Sequence, residues 1–179
     1  MWEYSDVARD VVVAMKYNPS PALAIFFGKL LAFTLMQEVT TSQWDRIVIM
    51  PTSHRSGLKR GFNQCAVLGY ALSKHLRLGG VDVISLPVSD LLVRQRKRAP
   101  HSTLDHEHRL RSLRRLFSVV RSVEGERILL LDDVVTTGAT VGAASFALLQ
   151  SGAISVDVVS LARASSWQRC RARVFKNLA

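Results

Sequence analysis

Two adjacent carboxylates, Asp132 and Asp133, follow a continuous apolar run at residues 128–131. The run is rich in branched residues and predicts a buried β-strand. Neighbouring side chains on a strand point to opposite faces, so the two carboxylates cannot both be core residues. Burying a carboxylate without donors is costly. The pair is therefore predicted to meet hydroxyl groups, N–H groups or a hydrated metal ion.

A hydroxyl-rich turn comes directly after the carboxylates. Its residues are Thr136, Thr137, Gly138, Ala139 and Thr140. Glycine lets a backbone close around a ligand, and backbone N–H groups ahead of a helix form an anion site that the helix dipole strengthens. Acceptors for sugar hydroxyls would then lie beside donors for a phosphate, which suits a ribose 5-phosphate. The alternative is an ordinary strand–turn–helix with Thr140 as N-cap and an incidental carboxylate pair.

Strand-like and helix-like segments alternate along the chain. The predicted helices span residues 22–39, 62–76, 104–115 and 141–150, and Gly152 fits the C-terminal cap of the last. The predicted strands span residues 45–50, 81–86, 91–93, 116–120, 128–131 and 155–161. This alternation indicates an α/β fold with a mostly parallel sheet covered on both faces. Ligands of such sheets bind beyond the carboxyl ends of the strands.

The composition is that of one globular domain spanning residues 1–179. Hydrophobic residues make up 48% and charged residues 21% of the 179 residues. The longest apolar run is shorter than the roughly 18 residues that span a bilayer, and no signal peptide is visible, so a cytoplasmic location is expected. Cys65 and Cys170 lack zinc-ligand spacing. Cys65 is predicted to be a small core residue, and a disulfide between the two is not expected.

The chain is strongly basic, with a formal net charge of +10. Nine arginines and lysines but only two acidic residues lie between residues 94 and 121. Each cation alone is typical of a solvated helix face, but the cluster favours an anionic ligand, either nucleic acid or a phosphorylated small molecule. A P-loop is excluded because no GxxxxGK[ST] occurs, and no GxGxxG supports a dinucleotide-binding fold.

Three segments resemble known protein families. ILLLDDVVTTGAT, at residues 128–140, looks like the signature with which type I phosphoribosyltransferases bind phosphoribosyl pyrophosphate (PRPP). PTSHRSGLKRGFNQ, at residues 51–64, resembles the segment ending in RGFNQ of the ComF (ComFC/GntX) family. The basic segment at residues 94–117 is similar in layout to that family's arginine-rich segment. The resemblance covers about residues 10–162.

The sequence departs from the family at several places. Ser112 stands where the family usually has Asn, and His101 stands near a usual Gln. The four-cysteine zinc module that family members usually carry at the N-terminus is absent from these 179 residues. The resemblance therefore implies a type I phosphoribosyltransferase fold without that module. Residues 1–40 and 163–179 would supply the small hood or other peripheral segments.

The resemblance also implies a role for individual residues. Asp132 and Asp133 would hold the ribose 2- and 3-hydroxyls of PRPP, and the five turn residues would wrap its 5-phosphate. The pyrophosphate would face a first loop formed by Pro51, Thr52, Ser53, Arg55, Lys59 and Arg60. A mobile catalytic loop would include Arg94, Arg96, Lys97 and Arg98. Mg²⁺ would be held through PRPP, with Asp132 or Asp133 contacting it at most through water.

Two functions compete on this evidence. One is a PRPP-dependent phosphoribosyltransferase, with natural competence and DNA uptake as the family's setting and a nucleobase or amine as the unidentified acceptor. The other is a PRPP-sensing or nucleic-acid-associated protein without catalysis, which the net charge favours. Asn63 has two interpretations, as a helix cap or as a functional residue. A homodimer is plausible for this fold class.

Overall fold

A computed structural model describes most of the predicted sheet and its helices. The described residues are 2–3, 21–38, 44–51, 63–78, 88–89, 91–94 and 116–163. The described helices are α1 (Pro21–Glu38), α2 (Gln64–Leu78) and α3 (Ala139–Gln150). The described strands are β1 (Trp2–Glu3), β2 (Arg46–Ile49), β3 (Val88–Ser89), β4 (Leu92–Arg94), β5 (Phe117–Val119), β6 (Arg127–Val135) and β7 (Ser155–Arg163).

Five strands form one sheet in the order β1-β7-β6-β2-β3, and every neighbouring pair is parallel. The central strand β6 pairs with β2 on one side and with β7 on the other. Its apolar residues at 128–131 have almost no exposed surface. This arrangement confirms the prediction of a parallel sheet whose central strand is buried on both faces.

The sheet separates two apolar clusters, because successive residues of β6 point to opposite faces. Ile128 and Leu130 pack with α3 on one face. Leu129 and Leu131 pack with α1 and α2 on the other. The central strand therefore lies between helical layers, which accounts for its unbroken apolar sequence.

Helices α1 and α2 cross at a glycine. A Cβ atom added to Gly28 would come within 2.5 Å of the Ala71 Cβ and 2.7 Å of the Leu68 carbonyl oxygen. The absence of a side chain at Gly28 thus lets the two helices approach closely. This approach buries the apolar side of α1 against α2.

Replacing Gly28 by alanine is expected to destabilise the fold, although alanine is the better helix former. The added methyl group overpacks the crossing and should lower the free energy of unfolding by about 1–3 kcal/mol, as measured by urea denaturation. Gly28→Ala/Ala71→Gly removes the Cβ–Cβ contact and should recover part of the loss. A Gly28→Ala variant as stable as the native chain would contradict this packing.

Two ion pairs join β2 to β6 at the amino ends of these strands. The Arg46 Nε lies 2.6 Å from the Glu126 Oε2, and its Nη2 donates to Oε1 at 2.6 Å. The Arg127 backbone N–H donates to the Asp45 Oδ2 at 2.8 Å, and the Arg127 Nε lies 3.2 Å from the same oxygen. Both pairs therefore fix the register of the central strands at the edge opposite the carboxylates.

The pair at Asp45 predicts an acid-dependent stability. Side-chain hydrogen bonding from Arg127, followed by its backbone N–H, lowers the pKa of Asp45 below the ordinary 3.8. A carboxyl whose folded-state pKa is lowered stabilises the fold above its unfolded-state pKa, and this contribution is lost as the pH falls through the folded-state value. Urea denaturation at pH 7 and below pH 3.8 should show a smaller acid loss in Asp45→Asn than in the native chain. Equal acid losses would contradict the pairing.

Strands β4 and β5 form a separate antiparallel pair, with Arg94 opposite Phe117. The chain therefore leaves this strand pair at Arg94 and returns to it at Phe117. Leu92 and Phe117 are buried in the α3 side of the core, so the pair is anchored to the main sheet. The predicted mobile loop thus starts at the end of a strand that is anchored to the core, and its residues after Arg94 lie outside the described part of the chain.

Most predicted elements agree with the structure within about two residues. One boundary was wrong: the strand predicted to end at residue 131 continues to Val135. The predicted strand at 81–86, the predicted helix at 104–115 and the C-terminal tail lie outside the described residues. Within the described part of the chain, none of the helices has the length and hydropathy needed to cross a membrane.

Candidate functional site

The candidate site lies where β6 loses one of its two neighbours. Pairing with β2 ends at Leu131, whose carbonyl oxygen accepts from the Met50 N–H at 2.9 Å. Pairing with β7 continues to Val135, which lies opposite Arg163. Asp132 and Asp133 therefore lie at the carboxyl edge of the sheet, beyond the last residue of β6 that pairs with β2 in the described part of the chain. Parallel sheets bind ligands at this edge.

The two carboxylates are held by the backbone that follows them. The Asp133 N–H donates to the Asp132 Oδ1 at 2.9 Å, and the Val134 N–H donates to the Asp133 Oδ1 at 2.8 Å. Both side chains are half-buried. Each carboxylate is therefore held in place by the hydrogen bond that it accepts from the next backbone N–H group.

The carboxylates also converge with a thiol. One carboxylate oxygen of Asp132, one of Asp133 and the Sγ of Cys65 all lie within 4.8 Å of one another. The prediction that the two carboxylates cannot both be core residues is confirmed, because both side chains are half-buried. One oxygen of each still comes close to the other, because each side chain bends onto the next backbone N–H group. The result is one acidic cluster in place of two separate groups.

The turn after β6 has the geometry of an anion site. Gly138 precedes α3 with φ 76°, a left-handed conformation that favours glycine. Its carbonyl oxygen accepts from the Gly142 N–H at 2.8 Å, while the Ala139 N–H donates to the Thr137 Oγ1 at a long 3.4 Å. The first-turn N–H groups of a helix have no acceptor within the helix, so they are available to an anion at this end.

Helix α3 starts earlier than the sequence predicted. It begins at Ala139, with Gly138 as its N-cap residue and without a capping side chain. The interpretation of Thr140 as N-cap is therefore wrong, and Thr140 lies in the first turn with an exposed side chain. Thr136 and Thr137 are exposed as well. The turn therefore carries three exposed threonines next to the first-turn amides of α3.

Helix α2 carries the thiol to the carboxylates. The Asn63 Oδ1 accepts from the Cys65 N–H at 3.0 Å, so Asn63 caps the helix. Its carbonyl oxygen also accepts from the Ala66 N–H at 3.1 Å and the Val67 N–H at 3.3 Å. The capping interpretation of Asn63 is confirmed. Cys65 is 4% exposed and belongs to the core on the α1–α2 side, as predicted.

The proximity of Cys65 to the acidic pair was missed by the sequence analysis. The thiol precedes the carboxylates by more than 60 residues, and helical periodicity alone placed Cys65 in the core. The available signal was its place at the start of a helix that follows strand β2. In a parallel α/β fold such a helix begins at the carboxyl edge of the sheet.

The remaining predicted site residues are only partly described. Pro51 lies two residues beyond β2, half-buried and next to Met50, whose N–H bonds to β6. Arg94 is the last residue of β4. The predicted site residues outside the described part of the chain are Thr52, Ser53, Arg55, Lys59, Arg60, Arg96, Lys97 and Arg98.

The three side chains of the cluster, Cys65, Asp132 and Asp133, fit the predicted Mg²⁺ in part. Carboxylate oxygens are ligands that Mg²⁺ prefers, directly or through retained water. Asp132 and Asp133 supply such oxygens close together. A thiol is not a ligand for this hard cation. The two carboxylates therefore suit Mg²⁺ without Cys65.

Comparisons with known proteins bear on the family and the fold. The sequence matches no protein-family model. It is 30% identical over 164 residues to the DNA utilization protein YhgH of Escherichia coli (strain K12), a match that covers 90% of this chain and 69% of that protein. It is 34% identical over 168 residues to the protein of the same name in Salmonella typhi, with the same coverage of both chains. It is 30% identical over 163 residues to the competence protein ComFC of Streptococcus pneumoniae, covering 91% of this chain and 66% of that protein.

A solved structure supports the fold. The glutamine phosphoribosylpyrophosphate amidotransferase of B. subtilis matches with a TM-score of 0.50 and 21% identity, over 77% of this chain and 26% of that one. The parallel sheet, with the strand–turn–helix at its carboxyl edge, is thus the type I phosphoribosyltransferase fold. On the identity with its relatives and on this fold, the chain belongs to the ComF family.

Proposed function

We propose that this chain is a ComF-type phosphoribosyltransferase. It would bind PRPP with Mg²⁺ and transfer ribose 5-phosphate to a nucleobase or amine, with release of pyrophosphate. One observation carries the proposal: two carboxylates lie close together at the carboxyl end of β6, and the strand leads into a left-handed glycine that opens α3. This arrangement offers acceptors for sugar hydroxyls beside donors for a phosphate.

The chain's own residues would position the substrate from both ends. Asp132 and Asp133 would accept hydrogen bonds from the ribose 2- and 3-hydroxyls, because each carboxylate oxygen offers more than one lone pair. The 5-phosphate would be bound by the amides and hydroxyls of Thr136, Thr137 and Thr140 together with the amides of Gly138 and Ala139. These contacts fix the ribose so that C1 faces the acceptor.

Displacement of pyrophosphate develops positive charge on the sugar and negative charge on the leaving group. The carboxylates, which are half-buried, would lie on the sugar side, where their charge is favourable. Asp132 or Asp133 would hold Mg²⁺ through water, and the ion would supply positive charge for the leaving pyrophosphate. The first loop, with Arg55, Lys59 and Arg60, would add cations beside Pro51.

Removing two cations from the predicted catalytic loop is expected to impair turnover more than binding. Arg96→Ala/Lys97→Ala should lower the rate of pyrophosphate release by about 100-fold, because a closing loop acts mainly in the transition state. The affinity for PRPP should change far less. Lys29→Ala/Lys74→Ala, at two exposed positions on α1 and α2, removes the same charge and serves as control. Equal losses of turnover and affinity would argue against a closing loop.

A nucleic-acid-associated role is the second candidate. The +10 net charge favours it, and two relatives are named DNA utilization proteins. Non-specific binding of this kind falls steeply with salt, because it depends on the release of counterions. A steep salt dependence of DNA binding, together with no PRPP binding, would favour this role over catalysis.

The proposed function is tested by measuring pyrophosphate release from PRPP and Mg²⁺ across a set of nucleobases and amines. One acceptor should raise the rate well above the hydrolysis of PRPP alone. If no acceptor does so, and PRPP does not bind, the phosphoribosyltransferase assignment fails.

A further inference from the structure

The thiol of Cys65 has no part in the proposed transfer, yet it lies against the acidic pair. Its Sγ and one oxygen from each carboxylate are within 4.8 Å of one another. In a tetrahedral zinc site, with Zn–S near about 2.3 Å and Zn–O near about 2.1 Å, neighbouring ligand atoms lie about 3.5 Å apart. Side-chain rotations that move the three atoms together by about an ångström would therefore bring them within reach of one ion.

Two elements hold these groups in place independently. The Asn63 cap fixes the first turn of α2, where Cys65 is 4% exposed and faces the cluster. Backbone N–H groups fix Asp132 and Asp133 through one oxygen each. Ligands that are ordered before the ion arrives lose little freedom on binding.

The kinds of ligand in the cluster favour a cation that accepts both oxygen and sulfur. The cluster offers one oxygen from each carboxylate and one sulfur. Zinc sites in proteins take ligands of both kinds. Mg²⁺ does not take a thiolate, whereas Zn²⁺ and Co²⁺ do.

We propose that Cys65, Asp132 and Asp133 form a binding site for a thiophilic divalent cation such as Zn²⁺. On binding, the Cys65 thiol releases its proton to solvent and its sulfur coordinates the ion together with one oxygen from each carboxylate. The fourth position is left to water, as in zinc sites with three protein ligands. The site regulates PRPP binding, because the ion takes the carboxylates that the ribose needs. This last step rests on the proposed function.

The test is a titration of the full chain with Co²⁺, in the absence of PRPP and Mg²⁺. Cys170→Ser serves as the background, so that one cysteine remains. We expect a near-ultraviolet thiolate-to-cobalt charge-transfer band that saturates at one equivalent and disappears when Zn²⁺ is added. Cys65→Ser in the native background, which keeps Cys170, should show no such band. No band in Cys170→Ser, or an undiminished band in Cys65→Ser, would overturn the proposal.

A second variant guards against a folding defect in Cys65→Ser. Asp132→Asn in the Cys170→Ser background keeps the thiol and changes a half-buried position. It should weaken Co²⁺ binding by at least about tenfold. Changing a group that only orients a metal ligand already costs about 10-fold or more in metal affinity, and loss of the ligand itself should cost no less. Unchanged Co²⁺ affinity in this variant would show that the ion lies elsewhere.

The regulatory step is tested with ribose 5-phosphate, which carries the sugar hydroxyls but lacks the metal-chelating pyrophosphate. An excess should shift the Co²⁺ titration to higher concentration, and the absence of a shift would refute competition. Absence of the Co²⁺ band refutes this inference and leaves the proposed function standing. The proposed function is tested separately, by measuring PRPP binding with Mg²⁺ in protein from which a chelator has removed other metals.

Discussion

Asp132→Asn/Asp133→Asn is expected to abolish PRPP binding at accessible concentrations while leaving the fold intact. Each substitution replaces a charged acceptor by a neutral one, and a hydrogen bond to a charged group contributes about 1.5–3 kcal/mol. Loss of both should therefore weaken binding by about 100-fold or more. Calorimetric titration of PRPP in the presence of Mg²⁺ measures the effect directly.

Asp157→Asn is the matched control for this variant. Asp157 lies on β7, in the strand next to the carboxylates, and its Oδ2 accepts from the Trp44 Nε1 at 2.8 Å. The control makes the same chemical change in the same sheet, away from the site, and should bind PRPP as the native chain does. Native affinity in the double variant would remove the acidic pair from the PRPP site.

Gly138→Ala is expected to weaken both PRPP binding and the fold. At φ 76° an L-residue is strained by roughly 1–2 kcal/mol, and relief of the strain would turn the amides of the turn away from the phosphate. We expect a loss of about tenfold or more in PRPP affinity, since amide donors to a phosphate are charge-assisted hydrogen bonds. Calorimetry and thermal unfolding separate the two effects.

Gly125→Ala supplies the comparison at equal strain. Gly125 has φ 74° in the turn before β6, and a Cβ there would meet nothing within 4 Å. The variant should lose similar stability and keep its PRPP affinity. If both variants bind PRPP equally well, the backbone of Gly138 has no role in binding.

Local sequence patterns predicted the sheet because its central strand is buried on both faces. The apolar run at 128–131 has no solvent-facing side, so its length and branching were sufficient evidence. Helix α3 was predicted for a related reason, with Gly152 beyond its end at φ 99°. Both features depend on neighbours within a few residues.

The errors arose where distant segments decide the structure. Whether β6 ends at Leu131 depends on which neighbour stops first, and β7 continues while β2 does not. The approach of Cys65 depends on the packing of α2 at the carboxyl edge of the sheet. No local periodicity carries this information.

The prediction that this site binds a ligand used a different kind of signal from the predictions of strands and helices. Carboxylates are depleted from strand interiors, so a pair of them in a buried segment indicated a site before any contact was known. The same depletion caused the strand to be ended too early. The chemistry of the site could thus be predicted from residue types, whereas its geometry required the arrangement of β2, β6 and α2.

The most direct measurement of the central claim is a crystal structure of the native chain grown with PRPP and Mg²⁺. We predict the ribose 2- and 3-hydroxyls within hydrogen-bond distance of the Asp132 and Asp133 carboxylates. The 5-phosphate should lie on the amides of residues 137–140 at the start of α3. PRPP bound at another edge of the sheet, or a 5-phosphate away from these amides, would contradict the account.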